Sequence, residues 1–333
     1  MIATHTPMLK SLKQPQRLCA SARNTFSLTI VSLSLAGCLL FLGCKDELTV
    51  TPVQAPRLVF KAEHGIQSLS NVTAFVQACT PRDAMTPGAE RAAQWLKDKL
   101  LSNGLKTARI DTFTDITPLG EAKFHNVEAV IPGQTPRTIL LLSHFDTKSG
   151  ISPSFQGAND SGSSTGLLLE LARLIAASGT PRYTIQIAFL DGEECKINFD
   201  AQDGLHGSRY LAKKMKREKR DLAAVILMDM IGDRDLHIQL PHNGTGALRA
   251  CALRAADATG DRKHIAPYDG VILDDHQPFL DAGFPAVDLI DFAFGDAQDR
   301  NKYWHTPQDT LDKLSAESLA ITGRIVLEMI NQL

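Results

Sequence analysis

The sequence predicts a three-layer α/β sandwich with a largely parallel central sheet. Three observations carry that prediction. Apolar, β-branched runs at Thr138–Ser143, Tyr183–Leu190, Ala223–Asp229 and Ala286–Ile290 have the length and continuity of buried strands. Longer stretches of helical period lie between them, the alternation from which parallel strands and crossover helices are built. Acidic and imidazole side chains gather where the runs stop, and open α/β sheets place their ligand sites at strand C-termini.

The chain has 333 residues, 44% hydrophobic and 22% charged, which is enough apolar material for a sizeable core. It shows no internal repeat and no low-complexity run. Its formal charge is −2. Lys10, Lys13, Arg17 and Arg23 lie in the first 44 positions, which hold no acid. The remainder has 31 basic and 37 acidic residues, a net of −6. A body of that charge without a basic stripe argues against a nucleic-acid partner. The cluster Lys213-Lys214-Met215-Lys216-Arg217 reads as a solvated helix face.

Residues 1–44 read as an export leader. Thr25–Gly43 is mostly apolar and follows the basic stretch, as in a secretory signal. Its length would also suit a single membrane span. Leu35-Ala36-Gly37-Cys38 and Phe41-Leu42-Gly43-Cys44 both resemble the lipobox of bacterial lipoproteins, whose cysteine is lipidated and becomes the new N-terminus. The first fits the box better. The second is followed by Lys45-Asp46-Glu47, a better start for a mature chain, so Cys44 is the expected anchor and Cys38 the alternative. The expected location is the bacterial cell envelope, exported and held to the membrane by lipid. Residues 45–60, with Pro52 and Pro56, read as a tether, and 61–333 as a single domain. Beyond the leader, Cys79, Cys195 and Cys251 are odd in number and lack metal-ligand spacing. Free buried thiols are expected there.

Within the body, Ile66–Cys79 has helical spacing. Thr86 as N-cap and Pro87 as first residue open a helix with the stripe Ala92, Ala93, Leu96 and Leu100, which Asn103-Gly104 closes. Leu105–Phe113 and Lys123–Ile131 are expected to form a hairpin at a sheet edge. Strand Thr138–Ser143 ends in His144-Phe145-Asp146. Gly157-Ala158-Asn159-Asp160-Ser161-Gly162 precedes a helix, Leu167–Ala177. Strand Tyr183–Leu190 runs into Asp191-Gly192-Glu193-Glu194. Helix Leu205–Met215, strand Ala223–Asp229 and helix Gly246–Ala258 follow. Asp274-Asp275-His276 opens a short helical segment, Ala286–Ile290 is a strand, and Ser315–Ile330 is the closing helix.

Each polar candidate has an ordinary explanation. The acids after Leu190 suit a solvated turn. His144 suits a hydrogen-bonded core histidine, Asp160 an N-cap for the helix behind it, and Asp229 a satisfied strand end. His305, in Tyr303-Trp304-His305-Thr306-Pro307, suits a loop beside aromatics. Their combination points to chemistry. Zinc takes imidazole nitrogen and carboxylate oxygen, and catalytic sites keep one position open. One Asp, one Glu and one His make a neutral three-ligand set around a dication. A further carboxylate beside such a site is placed for general acid/base work.

The motifs His144-Phe145-Asp146, Gly157-Ala158-Asn159-Asp160, Asp191-Gly192-Glu193-Glu194, Met228-Asp229-Met230-Ile231-Gly232 and Trp304-His305-Thr306 resemble the zinc aminopeptidase superfamily with co-catalytic metals. Three stretches resemble its glutaminyl cyclase branch more closely: Asp191–Glu194 followed by Gln202–Lys214, Tyr268–Leu280, and Trp304-His305. The likeness covers most of residues 65–333, in order and spacing. It implies that Asp160, Glu194 and His305 bind zinc and that Glu193 is the acid/base. It also implies that Asp229 and Asp274 form a hydrogen-bonded acidic pair at the reaction centre. Trp304 would be a pocket wall, with Phe199 where the animal cyclases carry a tryptophan. Ser161 after Asp160, and Asp274 before Asp275-His276, favour cyclase, because the aminopeptidases usually carry Asp or Asn and Ser there. Two departures stand out. Asp288–Tyr303 is longer than the animal cyclases' loop. Their cysteines flanking the first metal motif are missing, Ser143 preceding His144.

The implied reaction turns the N-terminal glutamine of a peptide or protein into pyroglutamate and releases ammonia. The substrate's own α-amine is the nucleophile. Its ordinary pKa is about 7.7–8.0, so no activated water is needed, and one zinc suffices. The alternative is a di-zinc metallo-aminopeptidase, with His144, Asp160 and Asp229 binding the second ion. A non-catalytic domain on the same fold is the third possibility. The expected partner is a peptide or protein N-terminus, met by a monomer.

Replacing both Cys38 and Cys44 with Ser should abolish incorporation of a radioactive fatty acid into the protein in cells. Equal labelling of the wild type and the double variant would remove the anchor.

Overall fold

Both faces of the central sheet are covered, and the sheet's strand pattern explains why. The computed structural model describes residues 54–295 and 301–333. The leader with Cys38 and Cys44, and the first part of the expected tether, lie outside the described residues. The strands are β1 (Arg109–Thr117), β2 (Gly120–Ile131), β3 (Thr135–His144), β4 (Tyr183–Leu190), β5 (Leu222–Asp229), β6 (Ile238–Leu240), β7 (Ile265–Pro267) and β8 (Ala286–Ile290). Their order in space is β1-β2-β4-β3-β5-β8-β6-β7. The four in the middle, β4, β3, β5 and β8, run parallel. The β1–β2 hairpin joins β4 antiparallel at one edge. At the other, β6 pairs antiparallel with β8 and parallel with β7.

Successive strand residues point to opposite faces. Ile139, Leu141, Ile185, Ile187, Ile226 and Met228 face one core. That core is shared with α1 (Ala62–Cys79), α2 (Pro87–Ser102), α3 (Ser164–Ala177), α5 (Gly246–Thr259) and α7 (Ala316–Gln332). Leu140, Leu142, Ala188, Leu190, Val225 and Leu227 face a smaller core with α4 (His206–Arg217) and α6 (Gln277–Ala282). Burial on both sides makes the central strands continuously apolar. The three-layer sandwich with a parallel centre is as expected.

The differences are local. α1 starts at Ala62, before the expected Ile66. Leu105 is not a strand residue: its N–H bonds Leu100 O at 3.0 Å and completes the end of α2. The hairpin is shifted accordingly, with its turn at 117–120. β6 and β7 are three residues each, too short to leave a period in the sequence. Residues 57–60, at the end of the stretch read as a tether, lie against α7. Leu58 and Phe60 are buried there, Leu58 exchanges two hydrogen bonds with Asn331, and Arg57 pairs with Glu328 at 2.6 Å. Within the basic cluster, Lys213, Lys216 and Arg217 are exposed. Lys214 instead pairs with Asp111 at 2.5 Å and with the buried Glu128 at 3.2 Å. Cys79, Cys195 and Cys251 are free and buried, as expected.

α1 crosses α3 at Gly166, where an added Cβ would lie 2.4 Å from Val72 Cγ2, 2.7 Å from Val72 N and 2.9 Å from Ser68 O. Two of those neighbours are backbone and cannot step aside. Gly166→Ala should therefore destabilise the fold by about 1–3 kcal/mol, the usual range for overpacking. That exceeds the roughly 1 kcal/mol that alanine gains over glycine in a helix. The check is the urea midpoint, which should fall at unchanged slope; a midpoint equal to or above wild type would contradict the close crossing.

Candidate metal centre and catalytic cleft

Register places the first site residues. β3 and β5 pair Leu142 with Leu227, so two residues on, His144 comes level with Asp229. His144 Nε2 lies 3.3 Å from Asp229 Oδ1 and 3.1 Å from Asp160 Oδ1. β3 and β4 pair His144 with Leu190, which brings the Asp191–Glu194 turn alongside. That turn requires glycine at 192. Its φ is +74°, and a Cβ would sit 2.5 Å from the Phe124 ring.

Two buried carboxylates hold the ligand-bearing loops by their backbone. Asp146 accepts the N–H groups of Glu193 and Glu194 at 3.1 and 3.2 Å. Asp309 accepts those of Asn159 and Asp160 at 2.7 and 3.1 Å. The buried guanidinium of Arg82 donates to the carbonyls of Phe145, Gln156 and Gly157 at 2.7, 2.6 and 2.7 Å. It thereby ties the end of β3 to the turn that carries Asp160. Sequence reading missed Arg82 and Asp309. Nothing in the local pattern marks Arg82, whereas Asp309 closes the run that begins at Trp304-His305 and was open to notice.

Asp160 sits in the irregular turn Ala158–Ser163 ahead of α3. Its carboxylate faces His144 on one side and His305 on the other, where His305 Nε2 is 3.3 Å from Asp160 Oδ2 and 2.9 Å from Glu194 Oε1. The His305 ring stacks on Trp304, centroids 4.0 Å apart. Two donor sets result, Asp160–Glu194–His305 and His144–Asp160–Asp229, sharing Asp160. In a tetrahedral zinc site with bonds of about 2.0–2.2 Å, ligand atoms stand roughly 3.4 Å apart. These spacings and the nitrogen-and-oxygen donors fit zinc.

The charges explain why a dication belongs there. Burial raises the Asp160 carboxyl, but the imidazoles of His144 and His305 close beside it outweigh that and hold Asp160 below the ordinary range. Burial works against a charge on His305, yet Asp160 and Glu194 push the ring up to about 10. Burial, with the Asp160 charge added, raises Glu194. Glu193 is raised well above its usual value by burial; His144 opposes, and Glu194, Asp274 and Asp275 add to the rise. The acids outnumber the imidazoles, and a bound cation reverses the local pKa logic.

These residues open into one cavity of about 400 Å³. Asp160, Glu193, Glu194, Asp229 and Asp274 line it, with Trp304 and Phe199 among the aromatic walls. Lys148, which sequence reading left out, also lines it. Its Nζ donates to Cys195 O at 2.7 Å and stands 3.7 Å from Glu194 Oε2. Asp274 is not the cap of α6, whose N-cap is His276. Its Oδ1 accepts the N–H of Asp275 at 2.5 Å. Burial and then the Asp229 charge raise Asp274 well above its usual value. Asp229 thus meets Asp274 as a like charge. The buried Asp288, which the sequence reading did not single out, is likewise raised well above its usual value, by burial and then by the charges of Asp274 and Asp229.

Comparison with known proteins agrees with this geometry. The profile of peptidase family M28 matches residues 126–330. A glutaminyl-peptide cyclotransferase of Drosophila melanogaster is 28% identical over 246 residues, 65% of this chain and 68% of that protein. A glutaminyl-peptide cyclotransferase-like protein of Mus musculus is 31% identical over 247 residues, 65% of this chain and 62% of that protein. Among solved structures, an Acidobacteriales bacterium glutaminyl cyclase superposes with a TM-score of 0.78 at 34% identity, covering 85% of this chain and 97% of that one. A Porphyromonas gingivalis glutaminyl cyclase does so at 0.72 and 25%, covering 82% and 98%. With the donor sets on the strand ends and the match spanning most of the sheet, the chain belongs to peptidase family M28, in its glutaminyl cyclase branch.

Proposed function

We propose that the chain is a glutaminyl-peptide cyclotransferase, converting the N-terminal glutamine of a peptide or protein to pyroglutamate with release of ammonia. One observation carries the reading. Two carboxyls outside the Asp160–Glu194–His305 set, those of Glu193 and Asp274, face the same cavity as that set. Cyclisation calls for both. A proton must leave the α-amine and reach the departing nitrogen, and the amide nitrogen needs an acceptor that orients it.

Asp160, Glu194 and His305 would hold one zinc ion, which supplies Lewis-acid polarisation of the glutamine side-chain carbonyl. Glu193 accepts the proton of the attacking amine and delivers it to the departing amide nitrogen, which leaves as ammonia. Its place beside Glu194, with its backbone N–H pinned by Asp146, directs the carboxyl into the cavity. Asp274, held by the N–H of Asp275, receives the N–H of the side-chain amide. Trp304 and Phe199 confine the side chain in its folded shape. Orientation of this kind is worth up to roughly 7–11 kcal/mol in ideal intramolecular cases.

The His144–Asp160–Asp229 set favours a second reading, a di-zinc aminopeptidase. The leader motifs support export and lipid anchoring through Cys44 or Cys38, with the enzyme working as a monomer.

Glu193→Gln should keep its zinc and lose about 10²–10⁴-fold in kcat, the usual contribution of a general acid/base. Glu194→Gln should lose zinc as well. Metal analysis of the two purified variants checks this, and equal zinc loss in both would refute the division of roles.

Asp274→Ser should reduce cyclisation of Gln-peptides by about tenfold, the upper end of one hydrogen bond's net worth of about 0.5–1.5 kcal/mol. Thermal stability should change little, since Asp274 caps no helix. Wild type should carry one zinc per chain. Two zincs per wild-type chain, together with free amino acid released from Leu-peptides, would establish the aminopeptidase instead.

A further inference from the structure

We propose that the end of the sheet opposite the cleft is a docking surface for a bilayer of anionic phospholipid, which it meets through Arg182, Lys213, Lys216, Arg217 and Lys219. This rests on the reading of the leader as a membrane anchor. The parallel strands β3, β4 and β5 finish at the cleft, so their first residues mark the far end. They are ten, eight and eight residues long, which sets the two ends about 26 Å apart or more. The strand starts lie side by side. Thr135 N–H bonds Arg182 O at 3.1 Å, and Thr138 N–H bonds Asp221 O at 2.9 Å. α4 runs down to this end and leads into β5 through Lys219 and Arg220.

The fold leaves the charge there unpaired. Lys213, Lys216 and Arg217 stand at i, i+3 and i+4, on one face of α4. All three are exposed, as are Lys219 and Arg182. Among the described residues no carboxylate pairs with any of the five. The nearby acids serve other cations: Asp111 and Glu128 hold Lys214, Asp221 holds Arg137 at 3.3 Å, and Glu218 stands 3.9 Å from Arg220. Like charges at this spacing repel and weaken the helix, a cost that a polyanionic surface would relieve. The turn after α4 is fixed. Lys219 lies in the left-handed region at φ +55°, Arg220 N–H bonds Met215 O at 3.0 Å, and the Arg220 guanidinium reaches Gln186 Oε1 at 3.3 Å.

The way the leader joins the domain decides what covers this surface. Residues 54–58 line one cavity with residues 181–183, at the start of β4. Leu58 is bound to Asn331 near the end of α7, and the Tyr183 O–H donates to Leu333 O at 2.9 Å. The leader therefore enters at the same end of the sheet as the cations. Cys44, the expected anchor, is ten residues before Gln54, a reach of at most about 36 Å. An anchor there keeps a bilayer within that distance and raises its effective concentration at the patch. Each Lys or Arg near an anionic surface contributes about fivefold to binding. The attraction fades within about 8 Å in physiological salt. It thus holds the base of the sheet and leaves the cleft outside the field, facing away from the bilayer and open to an arriving peptide N-terminus.

The test uses the full chain, extracted from cells and reconstituted with vesicles of phosphatidylcholine, alone or with a third phosphatidylglycerol. A membrane-impermeant acylating reagent, read by mass spectrometry, reports the reactivity of each lysine. Lys123, exposed and beyond the Val127–Phe189 pairing at the cleft end of the sheet, is the internal standard. Relative to it, Lys213, Lys216 and Lys219 should react at least about threefold more slowly in the anionic vesicles than in the neutral ones, and recover in high salt. In an Arg217→Glu/Lys219→Glu variant, Lys213 and Lys216 should react alike in both vesicles. Its ammonia release from a soluble Gln-peptide should equal that of wild type, which shows the variant folded. A chain that floats with both kinds of vesicle but shows equal lysine reactivity in them would overturn the surface and leave the anchor standing. Protection that persists in the variant would also overturn it. A chain that does not float with phosphatidylcholine vesicles would overturn the anchor and the surface together.

Discussion

Repulsion among buried carboxylates at one edge of the sheet is the constraint around which the molecule is arranged. Asp160, Glu194, Asp229 and Asp274 are all buried beside one another, and Glu193 joins them from the cavity wall. Such a cluster ordinarily favours neutralisation of its members, and several are indeed raised by burial and by each other. His144 and His305 relieve part of it by binding Asp160 from two sides. Those same contacts make the ligand triangles. The arrangement that is costly for an isolated protein is the one that gives a zinc ion its affinity, and the fold has to hold it open against that cost.

The fold does so through groups that never face substrate. Asp146 and Asp309 each use both carboxylate oxygens on backbone N–H groups of the ligand loops. Arg82 uses three nitrogens on carbonyls of the strand end and the Asp160 turn. A metal ligand is oriented by what its neighbours bind, and loss of such support typically costs 10–100-fold in affinity or activity. Here the support is unusual only in acting on main chain, so it fixes where Glu193, Glu194 and Asp160 emerge and leaves their side chains free to serve the cleft.

This division explains what the sequence made legible. The central strands were readable because burial on both faces produces unbroken apolar runs, and the acids at their ends stood out against them. The pairing of Leu142 with Leu227 then made the meeting of His144 and Asp229 inevitable. Arg82 was invisible because its partners are carbonyls from two separate places in the chain, which leave no trace in composition or period. Asp288 was hidden inside an apolar strand, where a single acid looks like noise until its neighbour Asp274 is seen. β6 and β7 were too short to carry a period. Leu105 looked like a strand residue because an apolar side chain that closes a helix and one that opens a strand are alike in a short window.

The same edge can serve hydrolysis or cyclisation, and what separates them is where the nucleophile comes from. A peptidase must make one from water, for which two metal ions are well suited. A cyclase receives it already attached to the substrate, so the work shifts from activation to shape. That shift fits what surrounds the donor sets. Trp304 is braced edge-on by Phe292 at 5.1 Å and face-on by His305 at 4.0 Å, which ties one wall of the cavity to a residue of the donor set itself. Displacing the wall would move His305, and displacing His305 would open the wall. In the proposed cyclase, confinement and zinc affinity would therefore be coupled through one stacked pair.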